Sequence, residues 1–96
     1  MKPSDVLPQH RETIRKLVLE AGMANPRIFG SVLHGDDIDG SDLDILVDPA
    51  PKTSLLDVAG LQIQIEQVLG VRVDLLTPRA LPIKFREKVL SEAQPV

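Results

Sequence analysis

The 96-residue chain has no cysteine, tryptophan or tyrosine, and Phe29 and Phe85 are its only aromatic side chains. Without cysteine, disulfides and thiolate-bound zinc are excluded. With so few aromatics, the core must be built from Leu, Ile and Val. No apolar run approaches the ~18 residues of a membrane-spanning helix, and no leader pattern opens the chain, so the cytoplasm is the expected compartment. Positive charge is also in deficit. Eleven Lys and Arg stand against fourteen Asp and Glu, a formal net charge of −3. Domains that grip a nucleic-acid backbone usually carry a basic face, so direct nucleic-acid binding is not expected. A nucleotide carried with its own cations remains compatible.

What is present is ordinary globular composition, 43% hydrophobic and 26% charged. The length suits one small domain over residues 1–96. Leu7, Ile14, Leu17, Val18 and Ala21 recur at helical spacing, which predicts an amphipathic helix from about Pro8 to Gly22. His10, Arg11, Arg15 and Lys16 fall on its flanks, as a solvated charged face. A short strand is expected from Arg27 to Gly30. Ser31 can then cap a short helical turn whose free N–H groups suit a phosphate, and Gly30 allows close approach of backbone to ligand. Taken alone, a Gly-Ser pair reads equally as a tight turn.

Asp36, Asp37, Asp39 and Gly40 read as an acidic, solvated turn. A calcium loop with Gly40 at its sixth position fails, because Gly35 and Leu46 would then fill the places that need Asp and Glu. The run from Asp42 to Val47 suits a strand, which would project Asp42 and Asp44 side by side on one face. Two neighbouring carboxylates repel each other and are costly to desolvate unless a cation lies between them. This is a metal-site signal. After Pro49 and Pro51, Ser54 and Asp57 resemble a capping box. Leu55, Val58, Leu61, Ile65 and Val68 then line a helix ending at Gly70. Val71 to Leu76 forms a third strand, with Arg72, Asp74 and Leu76 on one face. Pro78 and Pro82 precede a last helix with Lys84, Arg86 and Lys88 on it, and Gln94 to Val96 is expected to fray.

The predicted order is α-β-α-β-α-β-α. It implies an α/β domain with a small sheet of about three strands covered by helices. The link between the first two strands is too short for a parallel crossover, so the sheet should be mixed.

The spacing of Gly30, Ser31, Gly35, Ser41, Asp42 and Asp44 resembles the nucleotidyltransferase superfold signature. It is most similar to the minimal nucleotidyltransferase (MNT) domains of the polymerase-beta-like superfamily. His34 and Ile38 stand where that family often carries Arg. The resemblance implies a nucleotidyltransferase fold and an enzyme that transfers AMP from ATP with two Mg²⁺ ions. It implies Asp42 and Asp44 as metal ligands. It also implies a third catalytic and metal-binding carboxylate on the strand after the intervening helix, where Asp74 is the only candidate. Gly30, Ser31 and Ser41 would hold the nucleotide. MNT domains commonly pair with a HEPN-domain ribonuclease toxin and act as its antitoxin by adding AMP to a tyrosine. The chain has no tyrosine to serve as its own acceptor. Two alternatives stand beside this expectation. One is an antitoxin that neutralises by binding alone, and the other is a nucleotidyltransferase for a small molecule or RNA that works with another subunit.

Overall fold

In the computed structural model, which describes residues 1–96, the first helix starts five residues earlier than expected. α1 is Pro3–Glu20, with Pro3 in its first turn and Asp5 Oδ2 accepting the Lys2 N–H at 3.1 Å. Pro8 therefore lies inside the helix, where it removes one backbone donor. A distant residue supports the early start. Asp37 Oδ2 accepts the Ser4 N–H at 2.8 Å, and Asp37 is 6% exposed. The reading of Asp37 as part of a solvated turn is thus corrected. Its carboxylate satisfies a free donor at the positive end of α1, and that hydrogen bond holds its pKa below the usual carboxylate range.

β1 (Ala24–Phe29), α2 (Gly30–His34), β2 (Leu43–Asp48), α3 (Leu55–Leu69) and β3 (Val73–Leu76) follow in the predicted order. A 3₁₀ turn (Pro78–Ala80) and α4 (Ile83–Glu92) lead to a short β4 (Gln94–Pro95). The sheet order is β3-β2-β1-β4. β1 pairs with β2 antiparallel, and β2 with β3 parallel across the α3 crossover, so the sheet is mixed.

β4 corrects two expectations: the sheet has four strands, and the segment 94–96 is held rather than frayed. Gln94 and Pro95 pair with Ile28 and Arg27, and the Val96 N–H donates to Pro26 O at 3.0 Å. Arg15 Nη1 donates to Val96 O at 2.7 Å, so this arginine ties α1 to the last strand rather than only solvating a helix face.

Strand alternation divides the sheet chemically. Leu43, Ile45 and Val47, with Ile28, Val73 and Leu75, join Ile14 and Val18 of α1 and Leu61, Ile65 and Leu69 of α3 in one buried cluster. The opposite face carries Arg27 and Phe29, Asp44, Leu46 and Asp48, and Asp74 and Leu76. Leu46 is fully buried there, and the 3₁₀ turn packs on β2. β3 is an edge strand whose outward amides are covered by α3. Val73 N–H donates to Glu66 Oε2 at 2.8 Å, and Leu75 N–H to Gln62 Oε1 at 3.1 Å. Such cover removes donors that would otherwise invite a foreign strand. No helix is long and apolar enough to cross a membrane.

Candidate active site

The end of this second face next to α2 holds the sequence-assigned carboxylates. The register places Phe29, Asp44 and Asp74 in one row across β1, β2 and β3. Neighbouring strands lie about 4.8 Å apart, so Asp44 and Asp74 are immediate neighbours. Asp44 is half-buried, whereas Asp74 is exposed. Burial first, and then the charges of Asp74 and Asp42, push the Asp44 carboxyl up to about 6. A desolvated carboxylate that faces like charges favours a cation beside it.

Gly30 explains the shape of the floor beneath it. Its φ is +73°, and a Cβ built there would collide with Asp44 Oδ2. The turn from β1 into α2 therefore passes directly against the acid, which no larger residue allows. Ser31 follows as the second residue of α2, and Gly35 closes that helix in the left-handed conformation. Gly30, Asp44 and Asp74 thus meet from three separate elements, with Ser31 next in sequence to Gly30.

Asp42 lies just before β2 rather than inside it. Its Oδ1 is 3.1 Å from Arg72 Nε, and another arm of the same guanidinium donates to Gly40 O at 2.8 Å. No three His, Asp or Glu side chains are drawn together closely enough to enclose a cation, and Asp42 is paired with Arg72. The donor chemistry still suits a hard divalent ion. All three groups are carboxylates, such ions prefer oxygen ligands and take few of them from protein, and Asp44 lacks a cationic partner.

The remaining motif positions are used otherwise. Ser41 Oγ accepts the Ile38 N–H at 2.9 Å and closes the 38–41 turn, which leaves its hydroxyl proton free to donate. His34 Nε2 lies 3.1 Å from Glu92 Oε2 and ties α2 to α4. Sequence reasoning missed Arg72 as a contact of Asp42. The signal was present in strand alternation, which already put Arg72 and Asp74 on one face. It also missed the Arg27–Asp48 pair at 2.9 Å on the same face, which no motif marks.

Known proteins share this fold. Residues 13–96 match the family described as Polymerase beta, Nucleotidyltransferase. The protein adenylyltransferase MntA of Thermococcus cleftensis is 34% identical over 91% of this chain and 85% of its own. A Methanocaldococcus jannaschii protein, provisionally named protein adenylyltransferase MJ0435, is 35% identical over 86% of this chain and 89% of its own. A solved structure provisionally described as a minimal nucleotidyltransferase is 41% identical, with a TM-score of 0.86 over 97% of this chain and 95% of that one. The fold also recurs, at 20% identity and a TM-score of 0.69, in a tri-AMPylated Shewanella oneidensis HEPN toxin in complex with MNT antitoxin, over 92% of this chain and 69% of that one.

Proposed function

Because the chain belongs to the polymerase-beta-type nucleotidyltransferase family, we propose that this nucleotidyltransferase is a Mg²⁺-dependent protein adenylyltransferase. In this reading it adds AMP from ATP to a hydroxyl of a HEPN ribonuclease toxin and so acts as its antitoxin. The observation that carries the reading is the half-buried Asp44, seated over Gly30 and in register with Asp74. It is a cation-seeking acid placed against a turn that a phosphate can approach.

The roles follow from position. Asp42 and Asp44 would hold the divalent ions, with Asp74 as the third ligand. Mg²⁺, when bound, neutralises phosphate charge and polarises the reacting phosphoryl oxygens. The backbone amides around Gly30 and Ser31 would receive the β- and γ-phosphates, and the Ser41 hydroxyl would donate at the rim. Asp74, exposed on the edge strand, would orient the incoming hydroxyl and take its proton. The bond from the α-phosphorus to the bridging oxygen breaks, a bond from the acceptor oxygen to the same phosphorus forms, and pyrophosphate leaves. None of the 96 residues is tyrosine, which is consistent with a tyrosyl acceptor on another protein. The relatives named protein adenylyltransferase support an acceptor on a protein.

Growth of cells that express the partner toxin tests the reading. Wild-type protein should restore growth, whereas the Asp44→Asn/Asp74→Asn variant, expressed and folded to the same level, should not. Full rescue by that variant would mean that binding alone neutralises the toxin.

A further inference from the structure

Arg72 is the one cation that the structure pairs with the acids of the site. Of the four ion pairs in the molecule, only Arg72 with Asp42 involves Asp42, Asp44 or Asp74. The pair follows from strand register. Leu43 stands beside Val73 and Asp44 beside Asp74, so one step earlier along the sheet face Asp42 stands beside Arg72. The Leu43 N–H donates to Arg72 O at 2.8 Å, which continues the ladder to this pair. Alternation returns Arg72 to the face of Asp74, about 6.6 Å along the strand. The acid row of Asp44 and Asp74 therefore lies next to a mixed row of Asp42 and Arg72, a diagonal that a long side chain can cross.

The contact is open to exchange. Arg72 Nε lies 3.1 Å from Asp42 Oδ1, with the two side chains 75% and 49% exposed. An ion pair this open is held only weakly. Another arm of the guanidinium donates to Gly40 O at 2.8 Å, in the turn that Ser41 closes. We propose that Arg72 is a positioning residue that serves as the counter-ion of Asp42 in the metal-free protein, yields Asp42 to the divalent ion, and then turns to the phosphates of the nucleotide. This rests on the reading of Asp42, Asp44 and Asp74 as metal ligands. A dication beside Asp42 repels the guanidinium, while incoming phosphate oxygens attract it. The planar fork of arginine suits two such oxygens at once and stays charged at any working pH. Its second anchor, Gly40 O, keeps it beside Ser41, at the rim already assigned to the triphosphate.

Mn²⁺ binding to the nucleotide-free protein, read from the EPR signal of the free ion, tests the proposal without turnover. Arg72→Gln should bind Mn²⁺ about three- to tenfold more tightly than wild type, because a competing charge is gone. Its melting temperature should stay within about 2 °C of wild type, since an exposed pair adds little stability. In an Asp42→Asn background the same substitution should give a smaller gain, which assigns the effect to the pair. ATP binding in excess Mg²⁺, followed by calorimetry, should move the other way. It should be about tenfold weaker in Arg72→Gln and partly recovered in Arg72→Lys, which keeps the charge without the fork. Removing a purely structural brace would instead weaken Mn²⁺ binding. An Arg72→Gln variant that binds Mn²⁺ no more tightly than wild type, or ATP as well as wild type, would overturn the proposal. A wild-type protein that binds no Mn²⁺ would overturn the metal reading itself, and this proposal with it.

Discussion

Asp44 is the residue whose environment is least explained by folding alone. Its carboxyl titrates near 3.8 in an ordinary setting and at about 6 in the fold, because burial and two neighbouring acids disfavour its charge. Between those pH values the folded chain binds the extra proton, so this group's contribution makes stability fall as pH rises from about 4 to 6. At 1.36 kcal/mol per pH unit the difference would reach about 3 kcal/mol. Solvent screening of a half-buried carboxylate reduces that to about 1–2 kcal/mol. Asp44→Asn should therefore stabilise the protein at pH 7 by about this amount, and the gain should vanish near pH 4 in urea titrations. Saturating Mg²⁺ should narrow the gap by neutralising the wild-type acid. An equal effect at both pH values would show that Asp44 is not held charged against its surroundings. Gly30 is the complementary residue. Gly30→Ala combines a left-handed backbone with a collision at Asp44, so it should destabilise by about 1–3 kcal/mol and abolish AMP transfer, read by calorimetry and a turnover assay.

At the scale of elements, the acidic loop between α2 and β2 acts as a brace for α1. Asp37→Asn keeps the shape but removes the charge from the Ser4 N–H, so the melting temperature should drop by several degrees at pH 7. The pKa of Asp37 is depressed in the fold, so its stabilisation is present above the ordinary carboxylate pKa near 3.8 and disappears as pH falls through the lower folded value. The difference between wild type and Asp37→Asn should therefore close in acid. This brace joins residues 33 apart, and local pattern could not reveal it. The same limit hid β4, whose two residues include a proline and whose anchor, Arg15, lies 81 residues from Val96. Elements with their own period were legible: α3 from Leu61 and Ile65 with caps at Ser54 and Gly70, and β3 from its alternation. Asp42 and Asp44 were legible as a pair, but the Arg72 contact with Asp42 depends on how the loop meets β3.

For the whole molecule, the four-stranded sheet separates two tasks. One face is buried against α1 and α3 and supplies the core. The other brings Asp44 and Asp74 into one row and sets the Gly30 turn against them. The alternating element order made the mixed α/β architecture readable before any coordinates, because a short β1–β2 link requires antiparallel pairing and a helical crossover permits a parallel one. The central claim is that this second face transfers AMP to another protein. The most direct test is intact-mass spectrometry of the proposed partner, a co-expressed HEPN toxin, after incubation with this protein, ATP and Mg²⁺, beside the Asp42→Asn/Asp44→Asn variant. The account predicts a gain of one or more AMP units with wild type, and none with the variant or with Mg²⁺ chelated. An unmodified partner in a stable complex with the wild-type protein would contradict it.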